Sequence, residues 1–349
     1  MKKNSTDDQL GKNGSRSKGR VTLSDVAKVV DVSAITVSRA LNDPEKVNPK
    51  LRLRIEQAIA DLNYVPNRAA RSLATNSTQT LAVVIPTISN TVFSNVLKGI
   101  YDHTTVHNYE VLFANTYYSL QNEEKVIAKL LAQHPDGIIT TGLDISERSK
   151  AMLLSANIPL VQIMEVGTGD VIDMSVGFSH SDAGASMAQY LIGQGYRNIG
   201  FIGAQMDFRS QRRMQGFLST LADAGLETDK YLLTTTTPSD IKLGGQLLAD
   251  LLAKQPDVEA IFCNNDDLAY GAIFECQRRK LRIPEQIAIA GFNDLDASAS
   301  INPSLTTVKT PLYEIGRSAA ELLINTLKGR PNLSKTLDLG YELITRDSA

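Results

Sequence analysis

The sequence predicts a small all-helical headpiece followed by two α/β lobes, each built on a parallel sheet. Between residues 21 and 62 apolar residues recur at helical spacing, whereas beyond residue 79 short apolar bursts alternate with amphipathic helical stretches. The length of 349 residues also exceeds what one ordinary core holds, which points to two or three domains.

Residues 1–20 are polar, rich in Ser, Lys, Gly and Asn, and read as a disordered tail. A short amphipathic helix over Ser24–Val30 follows, capped by Thr22 or Ser24. Ser33 caps a second helix from Ala34 to Leu41, which Asn42-Asp43-Pro44 stops. A third helix runs from Pro49 or Lys50 to Leu62, with Leu51, Ile55, Ala58, Ile59 and Leu62 on one face. Asn63–Asn67 breaks it, and a fourth, very short helix fits Arg68–Ala74.

Strand bursts then appear at Leu81–Ile85, Val111–Ala114, Gly137–Ile139, Leu160–Ile163, Asn198–Ile202, Ala260–Phe262 and Ile287–Ala290. Helical stretches lie among them at Glu123–Gln133, Ala183–Gln194, Gln211–Ala224, Gly244–Lys254 and Leu268–Lys280. Short, wholly apolar strands of this kind belong to parallel sheets covered on both faces. The two sets separate near Gly193–Tyr196, which gives two similar lobes. Ligands of such sheets lie beyond the carboxyl ends of the strands, so the site is expected in the cleft between the lobes.

Composition narrows the function. The net charge of −2 hides an asymmetry: residues 1–75 carry 14 Lys and Arg against 8 Asp and Glu, and the remainder carries 22 against 30. A basic head on an acidic body suggests a polyanionic partner for the head alone. Cys263 and Cys276 stand without a CxxC or a nearby His and read as reduced thiols. Asp7 and Asp8 interrupt the place of a signal peptide's apolar stretch, and no run of about 18 apolar residues occurs. A cytoplasmic chain is expected.

The strongest local motif is the pair of short helices joined by Val30-Asp31-Val32-Ser33, the dimensions of a helix-turn-helix. Val26, Ala27, Val32 and Val37 would pack the pair together. Ala34, Ile35, Thr36, Ser38 and Arg39 are left at the exposed start of the second helix, with Thr22, Ser33 and Asn42 beside them. A recognition helix meets base edges in the major groove with that part. Arg39 can bond guanine bidentately, and Ala34 or Ile35 can touch a thymine methyl.

The stretch Leu62-Asn63-Tyr64-Val65-Pro66-Asn67-Arg68-Ala69-Ala70-Arg71-Ser72-Leu73-Ala74 resembles the hinge of the LacI/GalR family of bacterial repressors, and the preceding segment resembles that family's headpiece. The resemblance covers the chain from Val21 onward, through Pro86, Asn265-Asp266-Asp267-Leu268-Ala269, Gly291-Phe292-Asn293-Asp294 and Pro303-Ser304-Leu305-Thr306-Thr307-Val308. It implies a headpiece over 21–66, a hinge helix and linker over 67–77, and a body over 78–349 of periplasmic-binding-protein type. The first lobe would take about 78–194 and 309–339, the second about 195–308 and 340–349. A hinge this short cannot hold a helix alone in water, because nucleation is costly. By the resemblance Leu73 is the wedge at the operator centre, and Asn67, Arg68 and Arg71 hold phosphates.

The resemblance also implies a sugar-type effector held by strand-end residues of both lobes: Ser89, Asn90, Phe93 and Asp182 from the first, and Arg209, Arg213, Asn265 and Asn293 from the second. Two departures bear on its chemistry. Many hexose-binding members carry aspartate where this chain has Asn293, and three arginines, Arg209, Arg212 and Arg213, follow Phe208. Arginine binds carboxylate or phosphate through a planar fork. An anionic sugar derivative is therefore favoured, a sugar acid such as gluconate or a related aldonate by the resemblance below, with a neutral or phosphorylated sugar as the alternative. Arg212 is expected to serve only a surface pair with Asp207 or Asp223. The strings Phe262–Asp267, Phe274–Arg279 and Leu337–Gly340 resemble the gluconate-operon repressors within the family.

A homodimer with operator DNA and a sugar acid as partners is expected, with no metal and no cofactor. Asp31 stands where the family's headpiece turn usually has glycine. Rival readings are a sugar-binding protein without a DNA role, and a two-lobed enzyme. His103, His107, His134 and His180 form no metal spacing, no phosphate-binding glycine motif occurs, and Asp266-Asp267 lacks an accompanying acid/base arrangement.

Overall fold

The computed structural model describes residues 21–66, 77–166 and 171–349, and the chain divides into one unit ending at Asn76 and another beginning at Ser77. The expected hinge helix, with Asn67, Arg68, Arg71 and Leu73, lies outside the described residues, as does the expected tail.

The first unit holds α1 (Leu23–Val30), α2 (Ala34–Asn42) and α3 (Pro49–Asp61), with a 3-10 turn at Pro44–Lys46. Thr22 opens α1: its backbone N–H and its hydroxyl both donate to the Asp25 carboxylate, at 3.0 and 2.7 Å, and the Asp25 N–H donates to the Thr22 carbonyl at 3.0 Å. Asp31 ends α1 in the left-handed region, at φ 56° and ψ 54°, and its N–H reaches the Ala27 and Lys28 carbonyls. Aspartate enters that region more readily than most residues, so the turn survives without glycine. Val26, Ala27, Val30, Val37, Ala40, Ile55, Ala58 and Tyr64 are buried together, with Val32 packed against them. Each fully buried aliphatic chain contributes about 1.5–3 kcal/mol. Arg54 donates to the Val30 carbonyl at 3.0 Å and ties α3 to the end of α1.

The second unit contains two six-stranded sheets. The first runs β11 (Thr336–Asp338), β5 (Met174–Gly177), β4 (Leu160–Ile163), β3 (Gly137–Thr141), β1 (Thr80–Ile85) and β2 (Glu110–Asn115), all parallel. The second runs β12 (Glu342–Ile344), β10 (Thr306–Lys309), β9 (Ala288–Asn293), β8 (Ala260–Cys263), β6 (Ile199–Gly203) and β7 (Leu232–Thr234), with β12 alone antiparallel. Strand alternation serves both faces. Leu81, Val83 and Ile85 point into one core with α4 (Thr91–Val106) and α11 (Leu312–Leu327), while Ala82 and Val84 point into another with α5 (Leu120–Leu131) and α6 (Glu147–Ala156).

Around the second sheet lie α7 (His180–Gly193), α8 (Phe208–Asp223), α9 (Ile241–Lys254) and α10 (Asp266–Arg279). Apart from β11, the strands of the first sheet end at Gly177 and those of the second begin at Ile199, so the expected separation at Gly193–Tyr196 lies between the two sets. The helix within that span, α7, packs against α8. Glycines permit this contact. A Cβ on Gly184 would stand 2.1 Å from the Arg213 carbonyl oxygen, and one on Gly216 2.0 Å from that of Ser181. The two helix backbones touch, which sets the Arg213 turn directly against the first turns of α7.

Candidate functional site: the cleft between the lobes and the exposed face of the second helix

A cavity of about 310 Å³ lies where the carboxyl ends of the strands of both sheets meet. Its walls come from the segments that follow each strand: Ser89, Asn90 and Phe93 after β1, Tyr117 and Tyr118 after β2, and Met164 after β4. From the second sheet come Gln205 after β6, Ser239 after β7, Asn264 and Asn265 after β8, and Asn293 at the end of β9. Seven of the eight expected effector residues line it: Ser89, Asn90, Phe93, Arg209, Arg213, Asn265 and Asn293. Asp182 does not. It stands exposed in the first turn of α7, where its N–H donates to the Ser179 hydroxyl that caps the helix. His180, two residues earlier, is the one that turns inward.

The three arginines of α8 solve their charge in three ways. Arg209 forks onto Asp207, the cap of its own helix, and lies over the Phe93 ring of the first lobe at 5.5 Å. Burial raises the Asp207 carboxyl, but Arg209 and the Ser210 N–H outweigh that and hold it below the ordinary carboxylate range. Arg212 crosses to the first lobe and pairs with Asp144 at 2.6 Å and Glu165 at 3.5 Å. The expected partners, Asp207 and Asp223, are not used: Arg209 already occupies Asp207, and Arg212 faces the opposite lobe. Glu165 is buried, and burial pushes its carboxyl up to about 7.

Arg213 differs from both. It is buried, its guanidinium lies 3.3 Å from the Phe292 ring centre, and it donates to the Asn264 carbonyl and to His180 Nδ1 at 3.0 Å. Its Nε finds no acceptor, and no carboxylate pairs with it among the described residues. Burial pushes the guanidinium down to about 9, still protonated near neutrality. His180 cannot share the charge. Burial, then Arg213, hold it well below its ordinary range, and the ring stacks near Phe292 at 5.8 Å. Its Nε2–H donates to the Met164 carbonyl at 3.0 Å, which leaves the Nδ1 lone pair to accept from Arg213. The cavity thus contains a desolvated cation that touches no carboxylate among the described residues and feels Asp207, Glu165 and Asp266 only from farther off.

Much of the remaining polar wall is already committed. Asn264 bonds Ala204 and the Ser210 hydroxyl, at 3.0 and 3.2 Å. Asn265 caps α10 and exchanges hydrogen bonds with Ser239. Asp266 is buried beneath the wall and accepts from the Leu295 N–H and the Ser298 and Thr307 hydroxyls, a structural post rather than half of an acid/base pair. Asn293 is held at φ 115°, outside the usual range of side-chain-bearing residues, and this places it on the cavity wall. Sequence reasoning missed His180, Glu165, Asp144 and the tyrosines. Tyr117 and Tyr118 directly follow an apolar burst and were findable. Asp144 and Glu165 come together with Arg212 only through the tertiary fold.

In the first unit, α2 presents its reading face to solvent. Ile35 is 71% exposed, and Arg39 and Asn42 are exposed too. An isoleucine so exposed contributes nothing to this unit's core. Ser33 caps α2, accepting from the Thr36 N–H at 3.2 Å while the two hydroxyls meet at 2.9 Å, and Asn42 donates to the Ser38 hydroxyl at 3.3 Å. Ala34 is partly buried against the helical core. Among the described residues no helix is long and apolar enough to cross a membrane.

These features match known proteins. Residues 22–67 match the family described as bacterial regulatory proteins of the lacI family, and residues 188–349 match the periplasmic binding protein-like domain. The chain is 40% identical over 333 residues to the HTH-type transcriptional regulator GntR of Pseudomonas aeruginosa, covering 95% of this chain and 97% of that one. It is 37% identical to the HTH-type transcriptional regulator IdnR of Escherichia coli, covering 93% and 97%. A solved LacI-family regulator from Silicibacter pomeroyi superposes with a TM-score of 0.88 at 35% identity, over 94% of this chain and 99% of that one. The transcription regulator GntR from Chromobacterium violaceum gives 0.75 at 38%, over 77% and 98%. The relatives are DNA-binding regulators and not enzymes, so both rival readings fall away. This chain belongs to the LacI family of bacterial transcriptional regulators.

Proposed function

We propose that the chain is a homodimeric, cytoplasmic repressor whose grip on its operator is released by a sugar acid, an aldonate such as gluconate. The observation that carries the effector class is Arg213. A buried guanidinium with no acid beside it is costly in an empty cleft, and a ligand carboxylate supplies the missing charge through a planar two-point contact. A neutral hexose would leave that cost in place. A dianionic phosphate would find Arg209 already matched by Asp207. The similarity to regulators named GntR and IdnR agrees with this reading.

The α2 faces of two copies would read neighbouring major grooves, while paired hinges with Leu73 at their centre open the minor groove between them. Dimerisation is supported by β2, an edge strand whose Leu112 and Phe113 are exposed, and by Tyr101, exposed on α4 nearby in sequence. Effector binding shifts the DNA-bound population only through a difference in affinity between two lobe arrangements. Contacts that span the cleft, such as Arg209 on Phe93 and Arg212 on Asp144, are where such a difference arises.

A thermal-shift screen across sugar acids, neutral sugars and sugar phosphates, paired with an operator mobility shift, tests the proposal. Sugar acids alone should raise the melting temperature and release the operator. Stabilisation by neutral sugars to the same degree would overturn it.

A further inference from the structure

The sugar-acid reading accounts for one end of a ligand, and the cavity has another. Asp267, in the first turn of α10, also lines it. The residue is half-buried, and its carboxylate enters no hydrogen bond or ion pair among the described residues. Burial raises it, and the neighbouring charge that acts on it is Asp240, the cap of α9, not an arginine. The charges acting on Arg213 are those of Asp207, Arg209, Glu165 and Asp266. Arg213 lies against Phe292, His180 and the Asn264 carbonyl, whereas Asp267 stands in the first turn of α10, whose cap Asn265 exchanges hydrogen bonds with Ser239 on the neighbouring wall.

A polyol chain brings several O–H donors into the cleft, and each needs an acceptor. The other side-chain acceptors of the wall are largely occupied. Asp207 accepts from Arg209 and Ser210, the Asn90 carbonyl from the Val92 N–H, and the Asn265 carbonyl from Leu268 and Ser239. The Ser89 hydroxyl is engaged with Thr87 at 2.8 Å. Asp267 stands out as an acceptor-only group with both oxygens uncommitted, and hydrogen bonds to an ionised acceptor are about twice as strong as neutral ones.

Resting on the sugar-acid reading above, we infer that Asp267 is a specificity-determining residue, accepting hydrogen bonds from the hydroxyls at the end of the ligand remote from its carboxylate. The cleft then reads its ligand by polarity, anion toward Arg213 and hydroxyl donors toward Asp267. An acid of the right charge that lacks hydroxyls at its far end leaves Asp267 unsatisfied and is refused.

Calorimetry on the full-length protein tests this with gluconate and its analogues deoxygenated at C5 or C6, on wild type and Asp267→Asn. Wild type should prefer gluconate over at least one analogue by about tenfold or more. Asp267→Asn should reduce that preference to about twofold or less while keeping its melting temperature and operator binding. An unchanged preference in the variant, or none in wild type, overturns the role of Asp267 and leaves the sugar-acid reading standing. Failure of wild type to bind gluconate or any other sugar acid overturns both.

Discussion

Arg39 on α2 and Arg213 in the cleft each touch no carboxylate among the described residues, but they are held in opposite surroundings. Arg39 is exposed on α2, where water solvates its charge until DNA arrives. Arg213 is buried between Phe292 and His180, where no such solvation is available. The surface arginine waits at little cost, and by the proposal above it contributes sequence reading. Under the proposed function, the buried one makes the empty cleft costlier than the filled one, and a ligand of matching charge relieves it.

That contrast can be broken at several points. The largest effect is expected from Arg213→Met, which should raise the gluconate concentration needed to release the operator by at least about a hundredfold. Release at the wild-type concentration in a mobility-shift titration would show that the buried charge is not what the ligand meets. Leu73→Ala should weaken specific operator binding by about tenfold or more while leaving ligand affinity alone. Unchanged operator affinity would refute the wedge role.

Arg39→Ala should cost about 1–3 kcal/mol of specific binding and relax preference at one base position. A uniform loss over all sequences would reassign Arg39 to phosphate contact.

The link between lobes at Arg212 gives a pH signature. Burial raises Glu165 above its ordinary value of 4.5 to about 7, so the folded state holds a proton that the unfolded chain has released. Stability from this group therefore falls as pH rises from about 4.5 to about 7 and levels off above. Glu165→Gln should flatten the denaturation free energy across that window by about 1–3 kcal/mol. Some slope should remain, because burial raises Glu123 to about 7 as well. An identical slope in wild type and variant would mean that Glu165 titrates normally.

The smallest effect belongs to the turn. Asp31→Ala should destabilise the headpiece by about 1 kcal/mol and Asp31→Gly hardly at all, because alanine resists the left-handed backbone that both other residues accept. Equal losses in thermal melts would show that the Asp31 side chain matters for another reason.

The same contrast explains what could be read from the chain beforehand. The headpiece is local. Its caps at Thr22 and Ser33, its αL turn at Asp31 and its apolar face from Val26 to Ala58 are all set within a few dozen residues, and each expected helix is present within a residue or two. In the body, seven strands follow from apolar bursts, but β5, β7, β10, β11 and β12 are short and carry no such burst, and the order of strands in each sheet is set by tertiary packing. The cleft is non-local. Arg213, His180 and Asn264 meet through the glycine-mediated contact of α7 with α8, and neither periodicity nor spacing displays that meeting. Asp182 lies outside the cavity for the same reason: at the start of α7 the inward side belongs to His180, two residues before it.

Selection of an acid by Arg213, buried with no carboxylate in contact among the described residues, is the proposal to test. Calorimetry of wild type and Arg213→Met with gluconate and with its neutral amide, gluconamide, addresses it most directly. Wild type should prefer the acid strongly, and the variant should bind the two alike. Retention of the wild-type preference by a folded Arg213→Met protein would contradict the account.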